Sequence, residues 1–213
     1  MSKLYKYVAL GVRNSKRRRY TRDIFVNSRL FMPNYLEMND PMEAWYECGG
    51  LTRPYIDDIR AGKPNLKMCC LSQSNSDVLM WAHYGDRHKG LCVEVEVQDT
   101  NVSKHKISYV KELPQLEGEI DINSALIQIM SHKLLPWQYE QEVRYLRTIR
   151  YGDTTPQYLS VHITKVFIGC WLNESEVNDI KRLLHSWNPS VIVEQIQRNE
   201  LTFWNKSKKV KLF

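Results

Sequence analysis

Residues 89–97 read KGLCVEVEV. Leu91, Val93, Val95 and Val97 alternate with Cys92, Glu94 and Glu96, the two-residue period of a strand that turns one face to a core. Lys89-Gly90 just before it reads as a helix end, because glycine takes up the left-handed turn beyond a helix without steric cost. The helix it closes runs back through Trp81 to several side chains at 74–77 that can act as caps. This join of helix to strand, with no glycine-rich loop between them, sets the style of the whole chain.

Outward from that join, strands are expected at 3–12, 29–32, 66–71, 105–111, 143–150, 161–170, 191–197 and 210–213. A helix is expected over 14–27 with Tyr20, Ile24 and Phe25 inward, and another over 122–135. Asp40-Pro41-Met42-Glu43 has the order of a helix start: an acceptor at the cap, proline first, glutamate third. Asn173-Glu174-Ser175-Glu176 opens an amphipathic helix with Val177, Ile180, Leu183, Leu184 and Trp187 on one side. Helices and strands mix without a βαβ rhythm. The pattern predicts one α+β domain over residues 1–213, a mostly antiparallel mixed sheet flanked by helices.

The 213 residues suffice for one substantial core. No apolar run approaches the length of a membrane span, and the N-terminus lacks the apolar core of a signal peptide. Five cysteines without a C-x-x-C pair argue against a disulfide framework and for a reducing, cytoplasmic setting. Thirty Lys and Arg against 24 Asp and Glu leave a charge of +6, which suits a polyanionic partner such as nucleic acid or a dinucleotide. Much of the excess lies at Lys16-Arg17-Arg18-Arg19 and between Lys206 and Lys211.

Four groups of residues can carry chemistry. Trp81, His83, Tyr84, Asp86 and His88 crowd the helix-to-strand join, either as a partial metal set completed by Glu94 or Glu96 or as core and turn residues. The spacing fits no zinc signature, and no metal is expected. Glu140, Glu142 and Arg144 point the same way if the chain there is extended, forming a charged site or an internal ion-pair row. Met38-Asn39-Asp40-Pro41-Met42-Glu43 is the third group, read first as the helix start and second as part of a site. Arg13, Lys16, Arg17, Arg18, Arg19 and Arg22 form a basic helix face that can follow phosphates or simply meet solvent. With nine glycines and no nucleophile elbow, P-loop, Rossmann and serine-hydrolase chemistry are disfavoured.

Six segments occur in a telling order: Leu4-Tyr5-Lys6-Tyr7, Asn39-Asp40-Pro41-Met42-Glu43, Leu71-Ser72, Met80-Trp81-Ala82-His83-Tyr84, His88-Lys89-Gly90, and Trp137-Gln138-Tyr139-Glu140-Gln141-Glu142-Val143-Arg144. The series resembles the bacterial family named domain of unknown function 2971, across about residues 4–170. Met42 and Cys70 stand where phenylalanine is commoner in that family. More distantly, the layout is similar to that of the ADP-ribosyltransferases. That resemblance implies NAD as substrate, Lys6, Tyr7, Ser72, Trp81 and Tyr84 as its binding residues, and Glu140, Glu142, Arg144 and His83 as catalytic ones. Lys6 departs from the usual arginine or histidine. The alternatives are a nucleic-acid-binding accessory protein using Arg17, Arg18, Arg19 and the C-terminal lysines, and a metal-assisted hydrolase using His83, Asp86 and His88.

Overall fold

In the computed structural model the chain is described at residues 3–10, 15–116, 118–203 and 210–211, with side chains described at 3–10, 18–116 and 118–203. Strands β1 (Leu4–Val8), β2 (Arg29–Phe31), β3 (Leu66–Ser72), β4 (Leu91–Val97), β5 (Ser103–Lys106), β6 (Ser108–Val110), β7 (His132–Leu134), β8 (Glu142–Thr148), β9 (Tyr158–Ile168), β10 (Ile192–Gln195), β11 (Thr202–Phe203) and β12 (Val210–Lys211) alternate irregularly with helices. The helices are α1 (Ser15–Asn27), α2 (Arg53–Gly62), α3 (Val78–His83), α4 (Ile122–Met130) and α5 (Glu174–Trp187). The main sheet runs β10-β9-β4-β1-β3-β8-β5 with β2 added to β9, and only the β10–β9 pairing in it is parallel. This is the expected α+β architecture.

The KGLCVEVEV strand sits in the middle of that sheet, flanked by β1 and β9. Its Leu91, Val93 and Val95 join a core closed by Ile24 and Phe25 of α1 and Val177, Ile180 and Leu184 of α5. Cys92 and Glu94, expected to face out, are buried as well, because a second layer covers the other face. Thr164 bulges out of β9 opposite Glu94 and donates its hydroxyl to the carboxylate at 2.7 Å.

That second layer comes in two parts. Over β3 and β8, α2 and α4 enclose Ile59, Leu66, Met68, Leu126, Ile129 and Leu146. Over β1 and β4, α3 and the chain near Ile196 and Leu201 enclose Tyr5, Tyr7, Met80, Trp81 and Cys92. The division matches a weak line in the sheet: β1 and β3 share a single register pair, Tyr5 opposite Ser72. Side chains stitch the rest, with Lys6 Nζ donating to Cys70 O at 3.1 Å and Tyr7 Oη to Ser74 O at 3.0 Å.

Several expectations need correction. Residues 40–43 form a turn, in which Asp40 Oδ1 accepts from Met42 N at 2.9 Å and no helix follows. The helix expected over 122–135 stops at Met130; β7 then pairs with β6, and a 3-10 turn spans Leu135–Glu140. Tyr20 lies outward, 45% exposed, and Thr21 takes the inward place. The strand expected over 105–111 is two strands, β5 and β6, belonging to different sheets. The lysine cluster at 206–211 lies outside the residues whose side chains are described. Among the described residues no helix is long and apolar enough to cross a membrane.

Candidate active site

A row of charge is buried between the two apolar clusters of the second layer. Arg144 projects from β8 and is fully enclosed. Its Nε donates to Glu142 Oε1 at 2.7 Å, Nη1 to Glu43 Oε1 at 2.6 Å and Met130 O at 2.7 Å, and Nη2 to Glu43 Oε2 at 2.8 Å and Glu142 Oε2 at 3.2 Å. Every guanidinium N–H is thereby used, the condition under which a buried arginine is tolerated. Glu142 and Arg144 share a face because the strand period is two. Burial pushes the Glu142 carboxyl up, but Arg144 and then Lys133 override it and hold it far below the usual range.

Glu140 has a different setting. It ends the Leu135–Glu140 3-10 turn, and Gln141 turns left-handed (φ 47°) before β8 begins. The three charges are therefore not one extended row: Glu140 approaches the seam from a separate element. Lys133, delivered by β7, donates to Glu140 Oε2 at 2.5 Å and stands 3.5 Å from Glu142 Oε2 and 4.7 Å from the centre of the Trp137 ring. Tyr84 Oη donates to Glu140 Oε1 at 2.5 Å and accepts from Asn39 Nδ2 at 2.6 Å. Burial is the main influence on Glu140, and Glu142 adds repulsion. Together they raise the carboxyl to about 7 against the pull of Lys133 and Tyr84. The Tyr84 phenol, raised by burial and by Glu140, stays protonated and remains a donor.

Of the residues expected at the site, Ser72 reaches it through its hydroxyl, which donates to Glu140 O at 2.7 Å. His83 is exposed on the rim, its Nδ1 2.8 Å from Tyr139 Oη. Trp81 is fully buried, edge-to-face with Tyr7 at 5.2 Å, and donates Nε1 to Asn75 O at 2.8 Å. It supports the α3 side of the site and presents no face on which a ligand could stack. Tyr7 is likewise committed to packing. Lys6 lies between Tyr5 and Tyr7 on β1 and so leaves by the opposite face. Arg18 and Arg19 are exposed on α1, remote in role from this seam, while the Arg17 side chain lies outside those described. Among the described residues no three His, Cys, Asp or Glu side chains form a metal-holding group, so His83, Asp86 and His88 are not brought together as ligands.

Sequence reasoning missed Lys133, and it favoured a helix start over a site for the segment holding Asn39 and Glu43. The helix-start pattern accounted for Glu43 too well, and Lys133 was assigned to the interior of a helix. The useful signal was Lys133 beside the apolar Leu134-Leu135, with Glu140 and Glu142 following within the same stretch.

No family model, curated protein or solved structure matches the chain.

What the site can do follows from its chemistry. Arg144, bonded to Glu43 and Glu142, and Lys133, close to Glu142, balance those two carboxylates and hold the sheet to the second layer. Glu140 is the carboxyl left outside that closed set. Its pKa near neutrality lets it exchange a proton at ordinary pH, and its partner Tyr84 reaches an open cleft lined also by His83.

Proposed function

We propose that the protein cleaves the nicotinamide–ribose bond of NAD, passing the ADP-ribosyl group to water or, in the manner of an ADP-ribosyltransferase, to another acceptor. The observation that carries this reading is Glu140: a carboxyl on Tyr84 and Lys133, beside the closed Glu43–Arg144–Glu142 set, and joined through Tyr84 to an open cleft. Of the residues that the resemblance to the ADP-ribosyltransferases implies, Ser72, Tyr84 and Glu140 meet here and support the same chemistry, while Lys6, Tyr7 and Trp81 lie apart from the site.

In this reading the ribose C1′–nitrogen bond breaks and its electron pair goes to the nicotinamide ring, which leaves neutral. The ribosyl carbon becomes an oxocarbenium-like cation. Glu140, as a carboxylate, takes a ribose hydroxyl in place of the Tyr84 hydroxyl and stabilises the developing positive charge. The acceptor oxygen then bonds to C1′ and loses its proton to Glu140 or solvent. Lys133 keeps part of the Glu140 population ionised, and Ser72 fixes the Glu140 backbone. Arg144 positions Glu142 and Glu43 rather than touching substrate. The test is release of nicotinamide from NAD by wild type and by Glu140→Gln. Release by wild type with a loss of about a hundredfold or more in the variant is expected, and equal release would refute the assignment.

A second reading is supported by α1. Arg18, Arg19 and Arg22 are exposed and, among the described residues, form no ion pair. They suit a phosphate backbone. Nucleic-acid binding that falls steeply with salt and is lost on replacing Arg18, Arg19 and Arg22 by alanine is its signature; binding indifferent to both would end it.

A further inference from the structure

A cleft of about 1280 Å³ opens beside Tyr84, between the turn that follows α3, the inner side of α1 and the start of α5. One wall is an aromatic platform. Trp171 stacks on His88 with ring centres 5.2 Å apart and planes 25° apart, and is itself 55% exposed. The His88 ring beneath is buried, and burial lowers its pKa, so the stack is uncharged at neutral pH. The backbone locks the pair: Trp171 N donates to His88 O at 3.2 Å, and a Cβ on Gly169 would stand 2.1 Å from that oxygen.

The turn carrying His88 is held in a costly shape. Asp86, Arg87 and His88 all have left-handed backbones, with φ of 49°, 54° and 64°. L-residues take up that conformation at a cost of roughly 1–2 kcal/mol each. Gly85 O accepts from both Lys89 N (3.1 Å) and Gly90 N (2.8 Å), and Trp81 O accepts from His88 N (3.1 Å), which keeps the turn closed. The result fixes Arg87 and Lys89, both exposed, on the edge of the cleft beside the Trp171 platform. Neither forms an ion pair among the described residues. The acidic residues around the cleft are already engaged, Glu176 with Asn173 N at 2.9 Å and Asp179 with Arg182, except Asp86. A lone carboxylate there can accept from ribose hydroxyls.

We infer that this cleft is a nucleotide-binding site, with an aromatic base stacked on Trp171, phosphates at Arg87 and Lys89, and the sugar directed to Tyr84. The direction of the sugar rests on the NAD-cleaving reading; the base platform and the phosphate edge do not. The cleft is the one that Tyr84 and His83 also line, so a ligand seated on Trp171 is on the path to Glu140.

The test is calorimetric titration of the whole chain with ADP-ribose and, separately, with a short single-stranded oligonucleotide. Saturable ADP-ribose binding is expected in wild type. Trp171→Ala should weaken it about five- to a hundredfold, the range for loss of one base–aromatic stack, while Trp171→Phe retains most of it. Arg87→Ala with Lys89→Ala should weaken binding and flatten its salt dependence. ADP-ribose binding unaffected by Trp171→Ala, absence of ADP-ribose binding in wild type, or binding of the oligonucleotide alone would each overturn the inference. A chain that binds ADP-ribose in the expected way yet releases no nicotinamide from NAD would leave the site standing and remove only the cleavage chemistry.

Discussion

Glu140 and Glu142 stand two positions apart and titrate in opposite directions: burial and the neighbouring Glu142 charge raise Glu140 more than Lys133 and Tyr84 lower it, whereas Arg144 and Lys133 outweigh the burial of Glu142. The signs give a stability test. Glu140, raised from 4.5 to about 7, adds stability that is complete below pH 4.5 and is lost as pH rises through about 7. Glu142 is depressed from 4.5, so its contribution is present above that pH and is lost as acid is added below it. The melting temperature of wild type should therefore fall relative to Glu140→Gln between about pH 5 and pH 8. A difference between the two that does not change with pH would show that Glu140 titrates normally. Arg144→Met should cost about 3–5 kcal/mol in denaturant melts, because it strands the buried Glu43 charge and leaves Glu142 with Lys133 alone. Co-replacing both glutamates with apolar residues of similar size should recover most of that loss. At this scale Arg144 and Glu142 were legible as a pair from their spacing alone. Glu43 was not, because it lies 101 positions from Arg144 in the chain and its own neighbourhood offered a sufficient local explanation.

At the scale of elements, the long alternating strands were readable because a two-residue period survives any tertiary context that buries one face or both. β4 and α5 match their expected spans closely. Short elements were not readable: β7 has three residues, and its identity depends on pairing with β6, which is also three residues long. Propensity over so few positions is weaker than the tertiary contacts that decide them. The turn at 85–90 shows the same limit. A glycine-ended helix was expected, whereas three non-glycine left-handed residues carry the chain round, sustained by close backbone contact with the β9–α5 connection. Gly169→Ala tests that contact. It should destabilise the chain by about 1–3 kcal/mol through the clash with His88 O, measured by thermal or denaturant unfolding, and should shift the Trp171 platform. A variant as stable as wild type would mean that the turn and the β9–α5 connection are not in fact pressed together.

At the scale of the molecule, one face of the sheet is closed by α1 and α5, and the other is covered in two parts that meet at the ion seam. The seam rises from β8, one strand away from the line where β1 and β3 share a single register pair, with Ser72 opposite both Tyr5 and Glu142. Glu140 sits at the edge of this arrangement, within reach of the cleft that Tyr84 shares with Arg87, Lys89 and Trp171. The fold class was legible from periodicity. The meeting of four distant segments at Glu140 was legible only in outline, since pairing across the chain has no local signature. The central claim is that Glu140 works as a carboxylate on NAD, and the pH dependence of nicotinamide release tests it most directly. The rate should rise with pH through about 7 as Glu140 ionises and should be nearly absent at all pH values in Glu140→Gln. Release that is independent of pH across neutrality, or that persists in the variant with an unchanged profile, would contradict it.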